Sequence, residues 1–171
     1  MNDYEVFNSL HKLTSGECAA LCREAGKCMA DASAQALAVF YRIAPPELNR
    51  RQQECWFTAI TLACLWNVEE AQAGDEFAVM LKKYERKQET GGTDKKIRTL
   101  LDTRWEEDGY LAAKLSRLAR MLRSDNRSIM PDVDRLLDDL LHWNSDSRYV
   151  QLRWAQRFYQ PDISETQSEE E

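Results

Sequence analysis

Apolar residues recur at three- and four-residue spacing in every apolar segment of this chain, the period of helices rather than strands. The pattern is clearest over residues 130–159. There Val133, Leu136, Leu137, Leu140 and Leu141 form one apolar face. Pro131 stands where a first helical residue tolerates proline, and Asp132 and Asp134 suit the positive end of a helix dipole. The polar run Asn144–Ser147 breaks the pattern, and Ser145, Asp146 or Ser147 can cap the next helix. That second helix places Val150, Trp154 and Phe158 on one side, with Leu152, Ala155 and Tyr159 beside them and Arg148, Arg153 and Arg157 over much of the rest. The pair predicts an αα-hairpin with an aromatic seam and an arginine edge.

The same reading covers the rest of the chain. Val6, Phe7, Leu10 and Leu13 share a face over residues 3–13. Ser15–Glu17 opens a second helix that closes at Gly26–Lys27. Asp31 or Ser33 starts a third, stopped by Pro45–Pro46. Asn49 with Gln52 three residues on has capping-box spacing, and the helix from Arg50 to about Trp66 is the most apolar. A helix through Phe77–Tyr84 precedes a polar run with Gly91–Gly92, read as a mobile connection. Thr93 caps a short helix with Ile97, Leu100 and Leu101 inward. Glu106–Arg123 forms the next, with Leu111, Leu115, Leu118 and Leu122 as its seam. The prediction is an all-α fold without a sheet: eight or nine helices in an elongated, two-lobed bundle. Residues 1–161 make one helical domain, with an N-terminal lobe of about 1–85 and a C-terminal lobe of about 93–160. Residues 162–171 form an acidic tail, expected to be disordered.

The net charge of −6 argues at first against a nucleic-acid partner, but the charge is unevenly placed. The tail DISETQSEEE holds five acids and no base, and Lys82–Arg127 holds 13 Lys and Arg against 8 Asp and Glu. Local charge sets what a surface attracts. Lys114, Arg117, Arg120 and Arg123 rise at three-residue steps and form one curved ridge. Such a ridge fits a salt-bridged surface or a phosphate-binding one, since phosphate contact needs only positive groups at backbone spacing.

Other chemistry is sparse. Cys18, Cys22 and Cys28 lack the fourth ligand of tetrahedral zinc, so all five cysteines are read as free thiols, with no metal or cofactor expected. His11 and His142 stand without a nucleophile pattern, Asp138–Asp139 reads as a solvated or ion-paired helix face, and no phosphate-binding loop is present. The expectation is no enzymatic activity. The tryptophans read as core first, with Trp105, at a helix junction, as the alternative candidate for exposure and for stacking on a base. Asn2–Glu5 is the wrong start for a signal peptide and no window is long and apolar enough to span a membrane, which together predict a cytoplasmic protein.

Four stretches in order, "SGECAALCR" with "VFYRIAPP", "NRRQQECWFTAITLACL", "DKKIRTLLDT" leading into "LSRLARMLRS", and "DVDRLLDDLLHW" followed by "RYVQLRWAQRFY", resemble the CasB family over roughly residues 4–160. That family is the small subunit of Cascade, the type I-E CRISPR surveillance complex. The resemblance implies a non-catalytic helical subunit, paired head-to-tail with a second copy. It implies packing against the backbone subunits and the large subunit, and contact with crRNA and target DNA that helps hold the opened DNA. Carried onto this chain, the implied nucleic-acid-binding residues are Arg23, Arg50, Arg51, Lys95, Lys96, Arg98, Arg117, Arg120 and Arg148. Glu69–Thr93 and the acidic tail depart from the family pattern. The rival reading is a protein–protein adaptor whose arginine ridge meets acidic partners; a third is a small enzyme with an unrecognised site.

Overall fold

The computed structural model describes residues 6–89 and 91–162. Nearly the whole acidic tail, and with it the expectation of disorder, lies outside them. Among the described residues there are nine α-helices: α1 (Val6–Leu10), α2 (Ser15–Cys22), α3 (Ala34–Ile43), α4 (Arg50–Ala63), α5 (Phe77–Lys87), α6 (Thr93–Asp102), α7 (Tyr110–Asp125), α8 (Val133–Leu141) and α9 (Tyr149–Tyr159). A short 3₁₀ turn at Met29–Asp31 precedes α3. The all-α expectation holds, with one small correction. Gln72–Ala73 (β1) and Ile129–Met130 (β2) pair in parallel as a two-residue ladder. The ladder forms where the links after α4 and after α7 run side by side: Gln72 N–H donates to the Ser128 carbonyl and Gly74 N–H to the Met130 carbonyl, both at 2.8 Å.

The centre of the fold is α4. Asn49 accepts from Gln52 N–H at 2.9 Å while Gln52 Oε1 accepts from Asn49 N–H at 2.9 Å, closing the capping box. Every residue from Glu54 to Ala63 is buried. A helix covered all round needs its polar groups satisfied from within, and Thr61 does this by donating to the Phe57 carbonyl at 2.8 Å. Helices α1, α2, α7 and α8 pack around it.

The hairpin expectation needs correction. Helix α8 lays Val133, Leu136, Leu137 and Leu140 mainly against α4, whereas α9 lies on α5, with Phe77 and Trp154 stacked at 5.6 Å. The apolar faces of the two neighbours in sequence therefore serve different partners. What joins them is Asp139, whose carboxylate accepts from Trp154 Nε1 at 2.6 Å and from Arg153. Trp143 adds an edge-on contact to Trp154 at 5.3 Å.

Four helix starts also differ from expectation. Helix α8 is capped by Asp132, which accepts from Arg135 N–H at 3.0 Å, so Pro131 precedes the cap. No serine or aspartate caps α9; Arg148 does so at φ +53°. Helix α7 begins at Tyr110 rather than Glu106, because Gly109 turns the chain at φ +75° within close reach of Cys28, a conformation L side chains resist. Thr93 is the first residue of α6 rather than its cap, and its N–H donates to Glu85 Oε2 at 3.1 Å.

Candidate nucleic-acid interface

Helix α7 buries Leu111, Leu115, Leu118 and Leu122 and turns Arg117 and Arg120 outward. Its two flanks are set by close contacts. On one side Gly26, at φ +92°, lets the turn after α2 approach so closely that a Cβ there would lie 2.9 Å from the Ser116 Cβ. Arg120 reaches the Ala25 carbonyl of that turn at 3.5 Å, close in the chain to Arg23. On the other side Lys96 of α6 lies 3.3 Å from the Met121 sulfur, bringing this exposed lysine to the edge of α7. Lys96 thus extends the ridge read from the sequence to the edge of α6, and Arg120 reaches back to the turn after α2.

Nearby acids do not neutralise this face. Asp125 pairs with Lys87 at 3.0 Å on the α5 side. Glu24, next to Arg23, turns inward to Lys27 at 2.9 Å and to Ser33 N–H. Burial pushes the Glu24 carboxyl up, but those hydrogen bonds outweigh it and hold it below its ordinary value. Among the described residues no carboxylate lies within ion-pair distance of Arg23, Lys95, Lys96, Lys114, Arg117, Arg120 or Arg123. Lys114 instead sits 4.3 Å from the ring centre of Tyr110.

The remaining predicted residues are elsewhere. Arg98 pairs with Asp94 at 2.7 Å on the side of α6 that meets α9. Arg50, Arg51 and Arg148 border the loop between α6 and α7 and its neighbour after α8. Arg50 lies 3.8 Å from Glu107. Arg51 is half-buried, donates to the Leu141 carbonyl at 3.1 Å and lies 5.4 Å over the Trp105 ring. Arg148 donates to the Leu101 carbonyl at 2.9 Å, with Asp102 at 3.7 Å. Arg51 and Arg148 thus bind carbonyls of the fold, whereas Arg50 makes only a long, exposed ion pair.

Lys114 and Arg123 were legible in the three-residue ridge, though not in the motifs that carried the resemblance; nine residues apart, they stand on opposite sides of α7, and Arg123 lines a cleft with Leu10, Cys18 and Glu69. Tyr110, 54% exposed at the start of α7, was missed. Its signal was an aromatic one turn before Lys114.

The other candidate groups have internal roles. His142 Nδ1 lies 2.8 Å from the Asp138 carbonyl of its own helix, and His11 packs edge-on against Phe7. Asp138 stays half-exposed, while Asp139 is 2% exposed and burial raises its carboxyl against the hydrogen bonds from Trp154 and Arg153. Trp105 is half-buried, and the other four tryptophans are core. The cysteines are free; Cys55 is pushed up to about 12 by burial. No cluster of three or more His, Cys, Asp or Glu suited to a metal ion occurs among the described residues, and none of their helices is long and apolar enough to cross a membrane.

The model of the family of CRISPR-associated protein Cse2 matches residues 17–159. The chain belongs to the Cse2 family. A curated Cse2 protein from Thermus thermophilus is 34% identical over 87 residues, 43% of this chain and 52% of its own, so the chain spans about half the length of the curated relative it matches. Among solved structures, a Cse2-family protein from Thermus thermophilus shares the fold with a TM-score of 0.74 at 23% identity, over 90% of this chain and 95% of its own. CasB from M. ruber does so with a TM-score of 0.70 at 18% identity, over 95% and 94%. A chain of a CRISPR RNA-guided surveillance complex gives 0.68 at 20% identity, over 90% and 86%. Thermus thermophilus relatives carry both names, Cse2 and CasB, so this is the family read from the four motifs.

Proposed function

We propose that this chain is a non-catalytic small subunit of the type I-E Cascade complex, and that its α7 face holds nucleic-acid backbone. By doing so it stabilises the crRNA-guided opening of target DNA, the R-loop, during antiviral defence. One observation carries this reading: Arg117 and Arg120 of α7 and Lys96 beside them, with Arg23 close in the chain to the turn Arg120 reaches, meet no carboxylate among the described residues. Unpaired cations at this density repel one another, and a polyanion relieves that repulsion while releasing its counterions. Base pairing with the guide supplies sequence in such systems, so the protein needs only backbone contacts. Tyr110 adds a ring on which an unpaired base can stack.

Arg50, Arg51, Arg98 and Arg148 belong to the proposed interface as its outer members, weakened by their internal partners. Helix α9 turns Tyr149, Leu152 and Tyr159 outward, at 41%, 65% and 46% exposure. Such a stripe suits contact with the backbone subunits, the large subunit or a second copy packed head-to-tail. The likeness to a chain of a CRISPR RNA-guided surveillance complex supports assembly of the same kind here, in the cytoplasm.

The test is a reconstituted complex carrying either the wild-type chain or Arg117→Glu/Arg120→Glu. Opening of target DNA, read by 2-aminopurine fluorescence in the displaced strand, should fall in the variant while subunit assembly stays normal. Normal opening with failed assembly would favour the adaptor reading instead.

A further inference from the structure

Three of the five cysteines meet in one cleft. Helices α2 and α4 pack against each other, and beside their contact lies a cleft of about 310 Å³ lined by Cys18, Cys22 and Cys64 together with His11, Trp66 and Arg123. Cys18 and Cys22 are half-buried on α2, one turn apart. Cys64, the C-cap of α4, is 5% exposed.

The Cys18 and Cys64 thiols are hydrogen-bond partners, with the Cys64 S–H donating to the Cys18 sulfur. That contact holds the Cys18 thiol below its ordinary value, against burial and the Glu17 and Glu69 carboxylates, and pushes the Cys64 thiol up. Elsewhere burial raises the Cys28 thiol and pushes Cys55 up to about 12. Oxidation starts where thiolate character and access coincide, and it ends in a disulfide where a second sulfur is at hand. Cys18 meets all three conditions. Cys22 is the rival partner, and helix geometry argues against it. Side chains four apart on a helix hold their Cβ atoms about 5–6 Å apart, while a disulfide needs about 3.5–4.5 Å. A Cys18–Cys22 bridge would distort α2, whereas a Cys18–Cys64 bridge joins two helices already in contact.

We propose that Cys18 and Cys64 form an oxidation site, in which hydrogen peroxide oxidises Cys18 and Cys64 resolves it to a disulfide tying α2 to the end of α4. The Cys18 thiolate attacks one peroxide oxygen. An S–O bond forms, the O–O bond breaks, and the leaving hydroxide takes up the proton that Cys18 lost, as water. The sulfur has given up two electrons and is a sulfenic acid. The Cys64 sulfur then attacks the Cys18 sulfur: the S–S bond forms, the S–O bond breaks, and hydroxide leaves with the Cys64 proton as a second water. Two thiols and one peroxide thus give one disulfide and two waters. A thiol reductant reverses the bond by exchange. The site stands apart from the α7 cations and does not depend on their reading as a nucleic-acid surface.

The experiment treats the reduced full chain, freed of reductant, with a slight excess of hydrogen peroxide at neutral pH. Remaining thiols are blocked with iodoacetamide, and the chain is mapped by tandem mass spectrometry without reduction. A Cys18–Cys64 link is expected, lost on adding dithiothreitol and kept in Cys22→Ser. Cys64→Ser should stop at the sulfenic acid, with dimedone labelling Cys18 at least about fivefold above Cys28. The wild-type map needs no variant to fold. A Cys18–Cys22 link, a link between two chains, or no link with Cys18 no more reactive than Cys28 would overturn the proposal.

Discussion

Helices α7 and α9 both carry arginines at helical spacing, and the fold treats them in opposite ways. On α9, Arg153 reaches Asp139 and lies 3.7 Å from Glu76, Arg157 lies 3.7 Å from Glu76, and Arg148 at its cap holds the Leu101 carbonyl. On α7, Arg117 and Arg123 meet no carboxylate among the described residues, and Arg120 touches only a carbonyl at 3.5 Å. Arginines that close on their own fold contribute to stability, whereas arginines left open contribute charge to whatever docks. The composition of the two helices does not distinguish them; their neighbours do.

Trp154→Ala removes a 1% exposed ring stacked on Phe77 and leaves Asp139 without its indole donor. Its cost should be about 3–5 kcal/mol, seen as a large fall in Tm. An unchanged Tm would show that the seam between α8 and α9 does not hold the fold.

A sharper contrast comes from one arginine on each helix. Arg153→Ala strands the buried Asp139 carboxylate with Trp154 and the more distant Arg135. A buried charge that loses its partner is costly, and about 2–3 kcal/mol is expected because Arg153 keeps some access to water. Arg117→Ala should change stability by less than about 0.5 kcal/mol. Equal losses in urea unfolding would erase the distinction between the two helices.

The smallest effect belongs to Glu54, a buried carboxylate of α4 that accepts from Met29 N–H at 3.1 Å. Burial raises its carboxyl above the ordinary value, ahead of the opposing hydrogen bond and the Arg50 charge. In the folded state it therefore binds its proton more readily than in the unfolded one. Stability linked to this group is present at low pH and falls as pH rises from the usual carboxylate range through the raised value. Glu54→Gln keeps an acceptor for Met29 and should flatten the pH dependence of Tm in that window. A steeper dependence in the variant would contradict the assignment.

Much of the fold was legible because its signals are local. The Asn49–Gln52 box, the apolar faces of α4, α6 and α8, and the burial of four tryptophans all follow from spacing along the chain. The hairpin was misread because adjacency in sequence does not say which helix an apolar face will meet. Val133, Leu136 and Leu137 found α4, roughly 80 residues away in the chain, and Trp154 found Phe77. The delayed start of α7 turned on a single positive φ at Gly109, invisible in the run Glu106–Asp108. For the interface, periodicity revealed the ridge, but which arginines are free depends on Glu76, the Leu141 carbonyl and Asp102, contributed by distant segments. Arg51 looks like Arg117 in the sequence and differs from it only through those partners.

The proposed binding of phosphate by the α7 face depends on the fold leaving that face unpaired. Its direct test is the salt dependence of single-stranded oligothymidylate binding by the wild-type chain and by Arg117→Ala/Arg120→Ala. The double variant keeps the Leu115, Leu118 and Leu122 seam and should retain the wild-type Tm. Its affinity should fall, and its plot of log affinity against log salt should be flatter by up to about 1.4, since each single-strand phosphate contact contributes about 0.7. A double variant that folds normally and binds with the wild-type affinity and slope would contradict the account.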